Sequence, residues 1–282
     1  MKHIEDIKEI IYTKNEELKQ LFKKTCSVSA LCNYIKPKFD EVAIATSCAA
    51  KGKDNPNYKY YNMSVDDILK LWKDKSDISK KYGSLLDDYV EFVLTNKLNS
   101  PEFNIWKLDN NFDDDIRLHN TCKGFDQFYT WLTTNTNYIL VDREIPMYIN
   151  PNSSDKINGR LDILFYDPNT DAYIIIDDKT TDDITTVNNY GKKFNGPAFM
   201  LDDCDMNAYT LQLHLYKEAI VNTYNLTTYD KVSVYVCNLL REPDPETGKL
   251  FKLFKQNFQF DNTFLQKIIN FACVKHQLTK LK

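Results

Sequence analysis

Gly159-Arg160-Leu161-Asp162-Ile163-Leu164-Phe165 and Tyr173-Ile174-Ile175-Ile176-Asp177-Asp178-Lys179-Thr180 decide how this chain is read. Both are rich in β-branched and aromatic residues, the composition of buried strands. Asp167-Pro168-Asn169-Thr170-Asp171 between them is turn chemistry, so the pair reads as a hairpin. The first strand carries one carboxylate in an apolar run, and the second ends on carboxylate-x-lysine. Packing does not explain such charges, because an unpaired buried charge is costly. Side chains alternate along a strand. Asp177 and Lys179 therefore share a face, Asp178 points to the other, and hairpin pairing sets Asp162 beside Asp177. Two carboxylates that close repel unless a cation lies between them. Hard oxygen ligands suit Mg2+ or Mn2+. The plainer reading is a solvated strand end with an Asp–Lys pair. A calcium loop is a third: Asp167, Asn169, Asp171 and Asp178 fall at EF-hand positions 1, 3, 5 and 12. Against it, Ala172 replaces the required glycine, and strands rather than helices flank the loop.

Outward from the hairpin, the pattern alternates between helical and strand periods. Residues 4–24 carry Ile7, Ile10, Ile11, Leu18 and Leu21 at helical spacing. Ser64-Val65-Asp66-Asp67 reads as an N-cap opening a helix through Trp72. A second helix is expected from Tyr82-Gly83-Ser84 through Leu94, and another over Phe125–Leu132. Tyr138–Tyr148 is strand-like, and 181–205 is a polar connector. A helix is expected over 208–224, a strand over 231–240, a strand over 249–259 and a helix over 264–278. This order predicts an α/β fold with a mixed central β-sheet flanked by helices.

The 282 residues are 43% hydrophobic, enough for a substantial core, and carry a formal net charge of −4. That balance excludes a nonspecific nucleic-acid coat but not an enzyme with a local basic groove. Seven scattered cysteines without a CxxC pair predict reduced thiols. Met1-Lys2-His3-Ile4-Glu5-Asp6 lacks the apolar core of a signal peptide, and no apolar run is long enough to span a bilayer. A cytoplasmic protein with no membrane partner is the expectation.

Gly159-Arg160-Leu161-Asp162 followed by Ile176-Asp177-Asp178-Lys179-Thr180 resembles the core of the PD-(D/E)xK nuclease superfamily, closest to its RecB-like and phage exonuclease branch. Leu211-Gln212-Leu213-His214-Leu215-Tyr216 is similar to that branch's Gln-x-x-x-Tyr helix. Gly83-Ser84-Leu85-Leu86-Asp87-Asp88-Tyr89-Val90-Glu91 resembles the upstream Gly-Thr-x-x-His-x-x-x-Glu helix. Here Asp87 stands in place of His. Met63–Trp72 looks like the lead-in helix, and Glu144 matches a position where these enzymes often have Glu.

The resemblance implies a restriction-endonuclease-like core over 61–245, a helical N-terminal extension over 1–60, and a C-terminal strand and helix packing on the core over 246–282. It implies a Mg2+- or Mn2+-dependent deoxyribonuclease, an exonuclease acting in DNA replication, recombination or degradation. The alternative is a catalytically inactive nuclease-fold module that binds DNA or protein. Asp162, Asp177, Lys179, Glu91, Gln212 and Tyr216 would form the catalytic set. Asp162, Asp177, Asp178 (through its carbonyl), Glu91 and Asp87 would be the metal ligands. The branch's iron–sulfur cluster needs three C-terminal cysteines, and only Cys273 lies there, so none is expected. The expected partner is DNA with single-stranded ends. Lys192-Lys193 either meet its phosphates or, as the plainer reading has it, lie in a solvated loop, and Tyr190, Phe194 and Phe199 either stack on its bases or pack under the connector. Abundant Asn, Lys, Ile and Tyr suggest an AT-rich genome, and with the branch a phage, placing the protein in the host cytoplasm.

Overall fold

The computed structural model describes residues 4–23, 25–150, 152–181, 183–256 and 260–280. Lys24 of the predicted first helix, Asp182 of the connector and residues 257–259 of the predicted 249–259 strand lie outside the described residues. In chain order the elements are α1 (Ile4–Leu18), β1 (Cys26–Ser27), α2 (Val28–Ile35), α3 (Glu41–Gly52), α4 (Val65–Leu94), α5 (Pro101–Asp109) and α6 (Ile116–Asn135). Then come β2 (Ile139–Ile149), β3 (Ile157–Asp167), β4 (Ala172–Lys179), α7 (Asp205–Glu218), β5 (Val232–Leu239), β6 (Phe251–Lys255) and α8 (Asn262–Lys280). The chain divides into two units, Met1–Pro37 with Lys123–Lys282, and Lys38–Cys122. The second boundary falls inside α6.

The first unit is a mixed α/β structure built on a six-stranded sheet in the order β1-β3-β4-β5-β6, with β2 also paired to β3. β3 and β4 form the antiparallel hairpin, with Ile163 opposite Ile176. Its turn is self-contained. Asp167 accepts hydrogen bonds from the Asn169 amide at 2.9 Å and the Thr170 hydroxyl at 2.7 Å. Asp171 accepts from the Tyr166 hydroxyl at 3.0 Å and lies 3.5 Å from Lys231 Nζ. These carboxylates serve the turn, as an Asx-type loop requires. β4 lies between β3 and a parallel β5. Tyr173, Ile174, Ile175 and Ile176 are all buried, as a central strand covered on both faces requires.

Helices flank the sheet. Ile7 of α1, Leu31 of α2, Leu215 of α7 and Ile268 of α8 share one core with Met147, Ile157, Tyr173 and Val234 of the strands. Phe128 of α6 packs on Phe251 of β6 at 5.8 Å between ring centroids. The N-terminal segment, expected to be helical, also contains β1. Cys26 and Ser27 pair in parallel with Ile157 and Asn158 at the start of β3. Two residues carry no period, so the sequence gives no sign of this strand.

In the Lys38–Cys122 unit, α4 is one 30-residue helix where two were expected. Ser64 and Asp67 form a reciprocal capping box at its start. The residues between the two predicted helices are mostly good helix formers, and Gly83 weakens the helix without breaking it. At its far end Leu85 and Tyr89 pack with Phe103 of α5 and with Phe112 and Leu118.

Candidate functional site

The end of β4 places Asp177 and Lys179 on one face, as strand alternation demands. Lys179 Nζ lies 2.6 Å from Asp177 Oδ2 and 3.7 Å from Asp162 Oδ2. It also donates to the Asp178 backbone carbonyl at 3.2 Å. Asp177 is almost wholly buried at 2%, while Asp162 and Lys179 each keep 24% of their side-chain exposure. The cluster therefore has a buried floor and an open mouth. Asp178 faces the other side of the sheet, and its carbonyl alone is offered to the cluster.

A fork in the sheet makes this opening. β2 occupies one edge of β3 along nearly its whole length. The other edge is paired to β1 at Ile157–Asn158 and to β4 from Ile163 onward. Between them Gly159–Asp162 has no strand on that edge among the described residues, and Asp162 and Asp177 stand where β3 and β4 part. β2 registers the same irregularity. Its pairs run Arg143–Ile163 and Ile145–Leu161, omitting Glu144 and Asp162, and Glu144 has a φ of 51°. A left-handed glutamate is strained by roughly 1–2 kcal/mol. Glu144 is paired with Arg160 at 2.7 Å.

α7 closes the fork from above. Gln212 Nε2 donates to Asp177 Oδ1 at 3.0 Å, so this side chain holds the buried carboxylate. Tyr216, one turn on, is 3% exposed. It packs so closely on Gly159 that a Cβ there would stand 2.7 Å from its Cε1 atom. Its hydroxyl meets the Arg160 backbone, inside the unpaired stretch of β3. Tyr209 was not singled out from the sequence, yet its ring lies 5.3 Å from Lys179 Nζ. Its spacing, three before Gln212 and seven before Tyr216, was a readable signal. Asn238 was missed as well. It is buried on β5 opposite Lys179, and its amide, oriented by the carbonyls around it, donates to Lys179 O and Thr181 O at 3.1 Å each. No local pattern marks it, because the pairing of β4 with β5 is long-range.

The charges are strongly coupled. Burial first, then the Asp177 charge, pushes the Asp162 carboxyl well above the usual range, with Lys179 opposing. Burial alone would lower the Lys179 ammonium, but Asp177 and Asp162 outweigh it and raise it above its ordinary value. Lys179 is thus a fixed cation at neutral pH. Burial, followed by Asp162 and Asp177, raises the Tyr216 phenol, so it stays neutral. This environment fits a hard divalent cation. Two carboxylates and a carbonyl form an all-oxygen donor set, and a cation between the carboxylates would relieve the burial and mutual repulsion that raise Asp162. Asp177 Oδ2 lies 2.6 Å from Lys179 Nζ in an ion contact. Among the described residues no three His, Cys, Asp or Glu side chains form a ready-made metal cage.

Glu91 and Asp87 lie four apart on α4 in the Lys38–Cys122 unit and are both exposed. Glu91 borders a groove of about 380 Å³ with Glu102, Trp106 and Asp109 of α5. The connector splits its aromatic set. Phe194 is buried and its amide donates to Leu201 O at 3.0 Å, so it packs rather than meeting bases. Tyr190 at 87% and Phe199 at 64% are exposed. Lys193 is paired with Asp202. All seven cysteines are free. Among the described residues no helix is long and apolar enough to cross a membrane.

No family model matches the chain. No curated protein matches it. Among solved structures it is similar to the crystal structure of SSO0001, at 14% identity and a TM-score of 0.31, over 71% of this chain and 75% of that one. A likeness that slight bears on neither fold nor function.

Proposed function

We propose that this chain is a metal-dependent nuclease of the PD-(D/E)xK type, hydrolysing phosphodiester bonds in DNA on a restriction-endonuclease-like core. The observation that carries the reading is the convergence of Asp162, Asp177 and Lys179 at the fork, with Lys179 Nζ at 3.7 and 2.6 Å from the two carboxylates. Asp162, Asp177 and the Asp178 carbonyl would hold Mg2+ or Mn2+. The bound ion would supply a water of lowered pKa and neutralise charge at the scissile phosphate. Lys179, held cationic, donates to the attacking water or to the oxygen charge growing at phosphorus and does not act as the base. Gln212 keeps Asp177 turned toward the opening, and Tyr209 fences the ammonium. Tyr216 fixes the β3 backbone that carries Asp162, a positioning role rather than contact with substrate. The resemblance would add Glu91, with Asp87, from the Lys38–Cys122 unit to the metal shell.

A second reading, a nuclease fold that binds without cutting, is favoured by one observation. Asp87 stands where the resembled family carries a histidine. One assay separates the two. End-labelled single- and double-stranded DNA is incubated with the protein in Mg2+, Mn2+, Ca2+ or EDTA. Cleavage in Mg2+ or Mn2+ that EDTA abolishes supports the nuclease. Retention without cleavage in every condition supports the binding module. A mononucleotide product identifies an exonuclease, and a ladder an endonuclease.

A further inference from the structure

Within the Lys38–Cys122 unit, residues 73–81 of α4 are nine successive exposed residues. A helix ordinarily draws its stability from one packed face. This stretch buries none and is held helical by its two ends: the capping box with buried Ile68, and the buried Leu85, Leu86, Tyr89 and Val90. Its surface is cationic in an otherwise acidic chain. Residues 70–81 hold five lysines and two aspartates, while the whole chain carries a net charge of −4.

Beside the stretch runs a groove of about 830 Å³, lined by Phe39 and Trp72 and by Lys70, Lys73 and Lys80. Phe39 is 59% exposed, and its ring centroid lies 5.8 Å from that of Trp72. Trp72 is fixed in place because its Nε1 donates to the Tyr60 hydroxyl at 2.9 Å. The acids in the lining are Glu41 and Asp77. Asp77 holds Lys73 at 2.5 Å and Lys80 at 3.9 Å, on side chains more than half exposed. Such surface pairs are weak, so a phosphate can replace the carboxylate at little cost.

We infer that this groove binds single-stranded nucleic acid, with bases stacked on Phe39 and Trp72 and backbone phosphates on Lys70, Lys73 and Lys80. Unpaired bases present flat faces to aromatic rings, whereas a duplex hides them. An acidic peptide would satisfy the lysines and leave the two rings without a matching partner. The groove shares no residue with the carboxylate–lysine cluster, and stacking on rings with phosphates on lysines needs no metal.

The test is a titration of the full-length protein, in EDTA, with an oligothymidylate of about fifteen nucleotides, read by anisotropy and tryptophan emission. Binding should quench the emission, and Trp72→Phe should remove most of that quench while the protein still binds. Phe39→Leu should weaken binding. Charge reversal at Lys70, Lys73 and Lys80 together should weaken it by about tenfold or more and flatten the slope of log K against log salt by about 2. These lysines are exposed, so an unchanged far-UV circular dichroism spectrum will show the triple variant folded. Wild-type affinity in that variant, or a quench that persists in Trp72→Phe, overturns the inference. So does equal affinity for duplex, or equal competition by polyglutamate. Because no divalent ion is present, absence of DNA cleavage leaves this result standing, and loss of binding here leaves the nuclease reading standing.

Discussion

Gly159→Ala tests whether the fork is closed by direct packing of α7 on β3. The added Cβ would stand 2.7 Å from Tyr216 Cε1, 2.9 Å from its hydroxyl and 2.9 Å from Val28 Cγ2. Comfortable carbon contacts begin near 3.5 Å, so each neighbour must retreat by roughly 0.6–0.8 Å. Neither has room, because Tyr216 is 3% exposed and Val28 fully buried, on two different helices. Overpacking of a dense interior costs about 1–3 kcal/mol, and three simultaneous contacts put this site toward the upper end. In a chain of this size that lowers the melting temperature by about 3–5 °C. The assay is urea and thermal unfolding of wild type, Gly159→Ala, Tyr216→Ala and the double variant. Removing the Tyr216 ring relieves two of the three contacts, so the glycine substitution should cost at least about 1 kcal/mol less in that background. A cost below about 0.5 kcal/mol in the wild-type background, or the same cost in both, would refute the packing argument.

Three further outcomes follow from the same structure. Asp162 has a raised native pKa, so the folded state holds its proton more tightly than the unfolded chain. Stability from this group is therefore greatest below the unfolded value of about 3.9 and is lost as pH rises through the folded value. Asp162→Asn, which cannot ionise, should be more stable than wild type at pH 7 by roughly 1 kcal/mol, with the gap closing toward pH 4 in a series of urea melts. A gap that widens on acidification contradicts the sign. Gln212→Ala removes the 3.0 Å hydrogen bond that orients Asp177. It should weaken Mg2+ affinity about 10–100-fold, read from the Mg2+ dependence of cleavage, and wild-type dependence would make Gln212 a bystander. Gly83 sits inside α4, has no positive φ, and a Cβ there meets nothing within 4 Å. Gly83→Ala should therefore stabilise the protein by about 1 kcal/mol, and a destabilised variant would show that the helix breaks there.

The hairpin was legible because its signals are local. Tyr173–Ile176 is a buried central strand by composition, Asp167–Asp171 is turn chemistry, and alternation alone put Asp177 and Lys179 on one face. Gln212 and Tyr216 were legible as helical neighbours, but that one grips Asp177 and the other packs on Gly159 was not. The fork depends on which strands occupy one edge of β3, and β1 contributes only Cys26 and Ser27 to it. No periodicity survives in two residues. The split of α4 at Gly83 was misjudged because a glycine and a run of charges resemble a break, whereas the lysines between the predicted helices are helix formers. Phe194 and Phe199 look alike in sequence, and only the fold of the connector buries one and exposes the other.

The proposed role of Asp162, Asp177 and Lys179 is that of a hydrolytic metal site. Its most direct test is cleavage of end-labelled DNA in Mg2+ by wild type, Asp162→Ala and Lys179→Ala, with folding of each verified by circular dichroism. Wild type should cleave in a metal-dependent manner, and both substitutions should abolish that cleavage. Cleavage undiminished in either variant would contradict it.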